Sequence, residues 1–182
     1  MVYTFLADGF EETEAICPID LMRRAGIEVT TVSVSDRKTV RGSHGIPVEA
    51  DILMKDLEIK ELPELLFLPG GMPGAKHLSE DKRLEALLLQ TAKAGGMLAA
   101  ICAAPFVLGE LGLLEGKDAT CYPGFEASLR GAKVTGKRVV RDGSVITAIG
   151  MGAAEEFGLE LVRALRGYEA AEKVAEAIHS NV

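Results

Sequence analysis

The chain has 182 residues, of which 48% are hydrophobic and 26% charged, with 20 glycines and a formal net charge of -7. That balance belongs to a globular chain long enough to bury one sizeable core, and it excludes an extended disordered polymer. Lys and Arg are scattered in short stretches such as "RRAG" and "GKRVVRDG", which excludes a protein built on nucleic-acid phosphates, because such a protein needs a clustered basic surface.

The first element is "VYTFL", a β-prone run, followed by "ETEAICPIDLMRRAG" with helical periodicity and then by the strand "EVTTVSV". Pro18 lies inside the helix, where it removes a backbone donor, so a kink or a division into two short helices is expected. Residues 35–60 read as a β-ribbon and a connecting segment. Beyond them "ELLFLPGG", "RLEALLLQTAKAGG" and "MLAAIC" continue the alternation of strand and helix. "KVTGKRVVRDGSVITAIG" carries a hairpin signal with Asp142-Gly143 as its turn. The end reads as two helices broken at Gly167. This βαβ rhythm, with strands that are continuous apolar runs, predicts an α/β fold: a mostly parallel central sheet with helices on both faces, in one domain spanning 1–182. The longest apolar run, near residues 97–108, is too short to cross a bilayer and contains Pro105.

Three cysteines, Cys17, Cys102 and Cys121, have no framework spacing. They favour free thiols in a reducing compartment, and the N-terminal stretch lacks the basic and long apolar regions of a signal peptide, so a cytoplasmic location is expected.

In open α/β sheets the chemistry sits beyond the carboxyl ends of the strands. Three turns qualify: "ADGFEETE", "LPGGMPGA" and "ICAAP". Cys102 leaves an apolar strand and enters a helix, the placement of a nucleophile elbow, although cysteine at such a position also serves as plain core packing. Gly70 and Gly71 allow a close backbone approach and can aim amides at a developing oxyanion, or can simply form a strand-to-helix turn. Glu11, Glu12 and Glu14 suit the first turn of a helix. A buried Glu14 beside the thiol would have a raised pKa and could donate a hydrogen bond to sulfur. His44, His77 and His179 are isolated, with no metal-ligand spacing, so a zinc site is not expected.

Taken together, "LADGFEETEAICPIDLMRRAG", "SHGI", "LPGGMPGAKHL" and "AAICAAP" resemble the DJ-one/ThiJ/PfpI superfamily in its DJ-one-like branch, from about Leu6 to Gly167. The resemblance implies a flavodoxin-like three-layer sandwich of the class I glutamine amidotransferase-like type, a homodimer, and no metal or organic cofactor. It also implies roles for individual residues. Cys102 corresponds to the reactive, low-pKa elbow cysteine, oxidised readily to a sulfinate, and Glu14 to the protonated glutamate beside it. Gly71 and Ala103 correspond to backbone donors of the oxyanion site, with Gly70 in the same turn. The activity implied is cysteine-dependent glyoxalase or deglycase chemistry on a small-molecule aldehyde substrate, with redox sensing through Cys102 as the alternative and peptidase activity third.

Two departures from the family pattern bear on the site. Where relatives with a cysteine-histidine pair carry the histidine, this chain has Tyr122, a possible pocket residue, as is His44. The family's arginine-glycine-proline-glycine-threonine stretch is "AIGMGAA" here, with Ile149, Met151 and Ala153, so polar side chains are lost near the site and a carboxylate substrate is expected to be held less firmly. Cys121 is expected either to pack at a strand end or to resolve an oxidised Cys102. The first helix and the "VRGSHGIPVEAD" ribbon are the expected dimer surface.

Overall fold

A computed structural model describes residues 1–181. Seven strands form the central sheet in the order β10-β11-β7-β6-β1-β2-β5. They are β1 (Val2–Leu6), β2 (Val29–Ser33), β5 (Ile52–Leu53), β6 (Leu65–Leu68), β7 (Met97–Ile101), β10 (Val139–Asp142) and β11 (Val145–Ala148). All neighbours are parallel except the β10–β11 hairpin at one edge. The ribbon is the antiparallel pair β3 (Thr39–Arg41) and β4 (Pro47–Glu49), and a short parallel pair joins β8 (Asp118–Ala119) to β9 (Lys133–Val134).

The central strands β1, β6, β7 and β11 are buried on both faces, and alternate residues serve different cores. Val2 and Leu6 of β1, Leu65 and Phe67 of β6, and Ala99 and Ile101 of β7 pack with α1 (Glu12–Arg24), α5 (Ala154–Arg166) and α6 (Tyr168–Ala177). Phe5, Leu66, Leu68, Leu98 and Ala100 point the other way, against α2 (Gly74–Glu80), α3 (Lys82–Lys93) and α4 (Pro105–Glu110). This is the three-layer α/β sandwich that the sequence pattern predicts.

Local differences from the sequence reading have simple causes. Pro18 does not divide α1, which runs unbroken from Glu12 to Arg24. The proline removes one hydrogen bond, and dense packing of Pro18, Leu21 and Met22 in the core holds the helix together. The hairpin turn is Gly143-Ser144, because Asp142 still pairs with Val145. Gly143 takes the positive φ (59°) that such a tight turn requires. Gly167, at φ 88°, separates α5 from α6 as expected.

The α1–α5 contact depends on Gly158 having no side chain. A Cβ there would lie 2.6 Å from Leu21 Cδ1 and 3.0 Å from Pro18 Cα, and the latter is backbone that cannot swing away. Gly158→Val is therefore expected to destabilise the fold by about 1–3 kcal/mol through overpacking, measured as a lower midpoint in urea denaturation.

Candidate active site

The connections turn opposite ways on either side of β1, so the crevice beyond the carboxyl ends of β1 and β6 is the topological switch point of the sheet. The three turns singled out in the sequence meet there, joined by the turn after β11.

Cys102 follows β7 directly. Its N–H continues the parallel ladder to the Ala148 carbonyl at 2.9 Å, and its φ is +64°. A left-handed conformation is strained for a residue with a Cβ, and it persists because the strand before it and the Tyr122 N–H, which donates to the Cys102 carbonyl at 2.7 Å, fix both sides of the residue. The thiol is thereby lifted out of the sheet, half-buried, with the Gly71 and Ala103 amides directed at sulfur.

Glu14 is 1% exposed. Its position is set by Glu11, whose carboxylate caps α1 by accepting from the Glu14 N–H at 2.6 Å, while the Glu11 N–H donates to the Gly70 carbonyl at 2.9 Å. The Glu14 carboxyl faces the Cys102 thiol and the N–H groups of Gly70 and Met151. Its Oε2 is buried without a partner at full hydrogen-bond geometry. Gly70 makes this convergence possible: a Cβ there would run into Glu14 Oε2 and lie 2.6 Å from Cys102 Cβ and 2.7 Å from the Ile101 carbonyl. Gly71, at φ 87°, backs onto the Glu11 amide in the same way.

The electrostatics favour one negative charge at this site rather than two. Burial pushes the Glu14 carboxyl up to about 7, against which the thiol and the Gly70 and Met151 amides act. Burial, with the charge of Glu14 and its hydrogen bond, pushes the Cys102 thiol up to about 12. The expected low thiol pKa is thus not met while Glu14 is ionised. Protonating Glu14 removes the two upward influences that come from it, so that the Gly71 and Ala103 amides favour a thiolate against burial alone.

The remaining candidates separate into rim and bystanders. Tyr122 is 51% exposed at the mouth. A Cβ on Gly150 would lie 3.3 Å from its ring and 3.8 Å from Glu14 Oε1, which places ring and carboxyl on either side of that glycine. His44 is exposed and bonds through Nδ1 to Glu12 at 3.0 Å, not to Cys102 or Glu14. Glu12 also accepts from the His44 and Ile46 amides and the Ser43 hydroxyl. Burial opposes its charge, but these bonds outweigh burial and hold the Glu12 carboxyl down to about 2. His77 meets the Asp8 carbonyl. Cys121 is buried in the core on the α2–α4 side, whereas Cys102 packs against the α1–α5 side, and all three cysteines are free. Glu11, Glu12 and His44 are close enough to share a cation, although Glu12 is already saturated with donors.

Sequence reasoning gave no weight to the Met151 amide. The turn after β11 carries the apolar side chains Ile149, Met151 and Ala153, and its backbone supplies a donor to Glu14. The spacing of Glu11 and Glu14, N-cap to third residue, was the available signal for the cap.

Residues 1–164 match the DJ-1/PfpI family. The chain belongs to that family. It is 41% identical over 172 residues to Protein DJ-1 homolog B of Arabidopsis thaliana, covering 93% of this chain. This chain spans only 39% of that relative's length. It is 34% identical over 161 residues to Glutathione-independent glyoxalase DJR-1.2 of Caenorhabditis elegans, covering 87% of this chain and 84% of the relative. Among solved structures, oxidized Toxoplasma gondii DJ-1 superposes with a TM-score of 0.92 at 37% identity, covering 100% of this chain and 98% of the other. DJ-1/PfpI membership and the flavodoxin-like architecture agree with the sequence resemblance. No helix among the described residues is long and apolar enough to cross a membrane.

The raised carboxyl has a measurable consequence. Below about pH 4.5 Glu14 is protonated both folded and unfolded. Between its ordinary value of 4.5 and the folded value of about 7, only the folded chain keeps the proton, so this contribution to stability is lost as pH rises through that window and then levels off. The loss amounts to about 3 kcal/mol. Urea denaturation of wild type and Glu14→Gln at several pH values is expected to show that much extra pH dependence in the wild type; parallel curves would assign it to other groups.

Proposed function

We propose that this DJ-1/PfpI chain is a cysteine-dependent, glutathione-independent glyoxalase acting on small 2-oxoaldehydes such as methylglyoxal. The observation that carries the reading is a thiol on a strained elbow facing a buried carboxyl whose pKa lies near neutrality, a pairing suited to proton transfer at pH 7. The named activity of the Caenorhabditis elegans relative supports it.

The Cys102 thiolate adds to the aldehyde carbon. A C–S bond forms, and the carbonyl oxygen takes the proton of Glu14 to give a hemithioacetal. The Gly71 and Ala103 amides, already aimed at sulfur, hold the developing oxyanion. Glu14, now ionised, removes the proton on the former aldehyde carbon, the electron pair moves to the neighbouring carbonyl, and the hemithioacetal hydroxyl proton passes to that carbonyl's oxygen as an enediolate forms. Returning the proton to the second carbon leaves a lactoyl thioester: the first carbon is oxidised, the second reduced, and no external electron acceptor is consumed. Water then cleaves the thioester, releasing lactate and the thiol. An early hemithioacetal or aminocarbinol adduct would first lose its thiol or amine as the C–S or C–N bond breaks and the aldehyde re-forms, and the same addition to that aldehyde would give deglycase activity.

The second reading is a redox sensor in which peroxide takes Cys102 to the sulfinate. The two amides on sulfur favour it, as they offer donors to sulfinate oxygens, and the Toxoplasma gondii neighbour was described oxidized. A homodimer and a cytoplasmic location belong to this proposal as well. Ile16 on α1 and Ile46 beside the ribbon, 41% and 56% exposed, are apolar surface that a second copy would cover.

Methylglyoxal consumption with lactate release is expected to vanish in Cys102→Ser and to fall by about 10²-fold or more in Glu14→Gln, the usual scale of a general acid-base group. Stoichiometric modification of Cys102 without turnover would replace the enzyme by the sensor. Sedimentation is expected to give the dimer mass for wild type and the monomer mass for Ile16→Lys; a wild-type monomer would remove the dimer from the proposal.

A further inference from the structure

The crevice above Cys102 has an acidic floor and an apolar rim. The floor holds the Cys102–Glu14 pair, with Glu11 beneath it capping the same helix turn. The rim is formed by Tyr122 and by Met151, which are 51% and 55% exposed. Both are tied to the site by backbone: the Tyr122 N–H donates to the Cys102 carbonyl, and the Met151 N–H faces the Glu14 carboxyl. Gly150 fits closely between them: a Cβ there would press on the Tyr122 ring at 3.3 Å and lie 3.8 Å from Glu14 Oε1, so the ring sits within a few ångströms of the buried carboxyl.

Two cations that border this region are already engaged. Arg138 reaches the turn after β11, but its guanidinium pairs with Glu156 at 2.8 Å and bonds the Gly152 carbonyl. The His44 ring is held by Glu12. A bound molecule therefore meets the Cys102–Glu14 charge below and an exposed aromatic ring above, and these two bordering cations are engaged elsewhere.

We propose that this mouth selects neutral 2-oxoaldehydes with an apolar or aryl tail and rejects those bearing a carboxylate or phosphate, the Tyr122 ring and the Met151 side chain being the selecting surface. The aldehyde end reaches Cys102 while the tail lies along the exposed Tyr122 ring. An aryl tail gains contact with the Tyr122 ring and Met151 sulfur. An anionic tail at the same place faces Glu11 and the charge shared by Glu14 and Cys102 at short range in a partly desolvated crevice. Tyr122 and Met151 act on which substrate enters and take no part in proton transfer.

The inference rests on the glyoxalase reading for its substrates, and the test has an arm that needs no turnover. Iodoacetamide and iodoacetate are of similar size and differ by one negative charge. Their rates of alkylation at Cys102, followed by peptide-resolved mass spectrometry so that Cys17 and Cys121 are counted separately, are compared with those of a free cysteine peptide. The expected result is a preference for the neutral reagent about tenfold greater than that of the peptide, as one repulsive charge at close range produces. Tyr122→Lys is expected to abolish most of that excess, and Met151→Lys, at a more exposed position, serves if the first variant fails to fold.

In the turnover arm, phenylglyoxal is expected to give a higher kcat/KM than methylglyoxal. 4-Carboxyphenylglyoxal should fall about tenfold or more below phenylglyoxal, and Tyr122→Ala should lower the ratio of phenylglyoxal to methylglyoxal kcat/KM. A Cys102 alkylation ratio equal to that of the peptide, or a carboxylated substrate used as well as its neutral counterpart, overturns the selectivity. An alkylation preference with no aldehyde turned over leaves the neutral-selecting mouth standing and overturns the enzyme.

Discussion

The absence of a side chain at Gly70 is the constraint on which the site depends. The turn after β6, the end of β7 and the first turn of α1 converge on the space a Cβ would fill, which the Glu14 carboxyl, the Cys102 Cβ and the Ile101 carbonyl all border. Any larger residue would push the carboxyl from the thiol or lift the turn away from β7. Close approach then dictates the chemistry: a buried carboxyl and a buried thiol near each other cannot both be ionised at modest cost, so their protons are linked. The Gly71 and Ala103 amides decide which of the two profits when the single charge moves.

The sheet explains why those parts arrive together. A strand buried on both faces has no solvent face on which to display polar groups, so side chains with chemistry are found at the strand ends. The turns after β1, β6, β7 and β11 supply respectively the carboxyl, the glycine turn, the thiol and the Met151 amide. Left-handed backbone at Cys102 is the strain that results, held by one hydrogen bond on either side.

Much of this was legible in the sequence. Apolar runs of four or five residues alternating with helical periodicity identify β1, β2, β6, β7, α1 and α3, and glycine and cysteine just past strand ends locate the crevice. Features that arise from tertiary packing were not legible. The continuity of α1 through Pro18 depends on Gly158 and Leu21 packing around it. The short helix α2 carries little apolar periodicity in its seven residues, and the two-residue strands β8 and β9 are set by what they lie beside. In the site, side-chain identity pointed to Cys102 and Glu14, while the Met151 contribution is a backbone group that any residue type could supply. The thiol's raised pKa was missed because it depends on burial and on the protonation of a neighbour, neither of which a motif encodes.

Glu12 and Glu14 lie two residues apart in the same helix turn, and their surroundings drive them in opposite directions, to about 2 and about 7. The carboxylate that anchors the ribbon is thus already fully charged throughout the range in which its neighbour gains or loses a proton. What does titrate at the ribbon is the exposed His44 imidazole, raised above its ordinary 6.5 by that same carboxylate, so a pH profile of the crevice sums the paired thiol and carboxyl with one surface histidine, and His44→Gln separates the two.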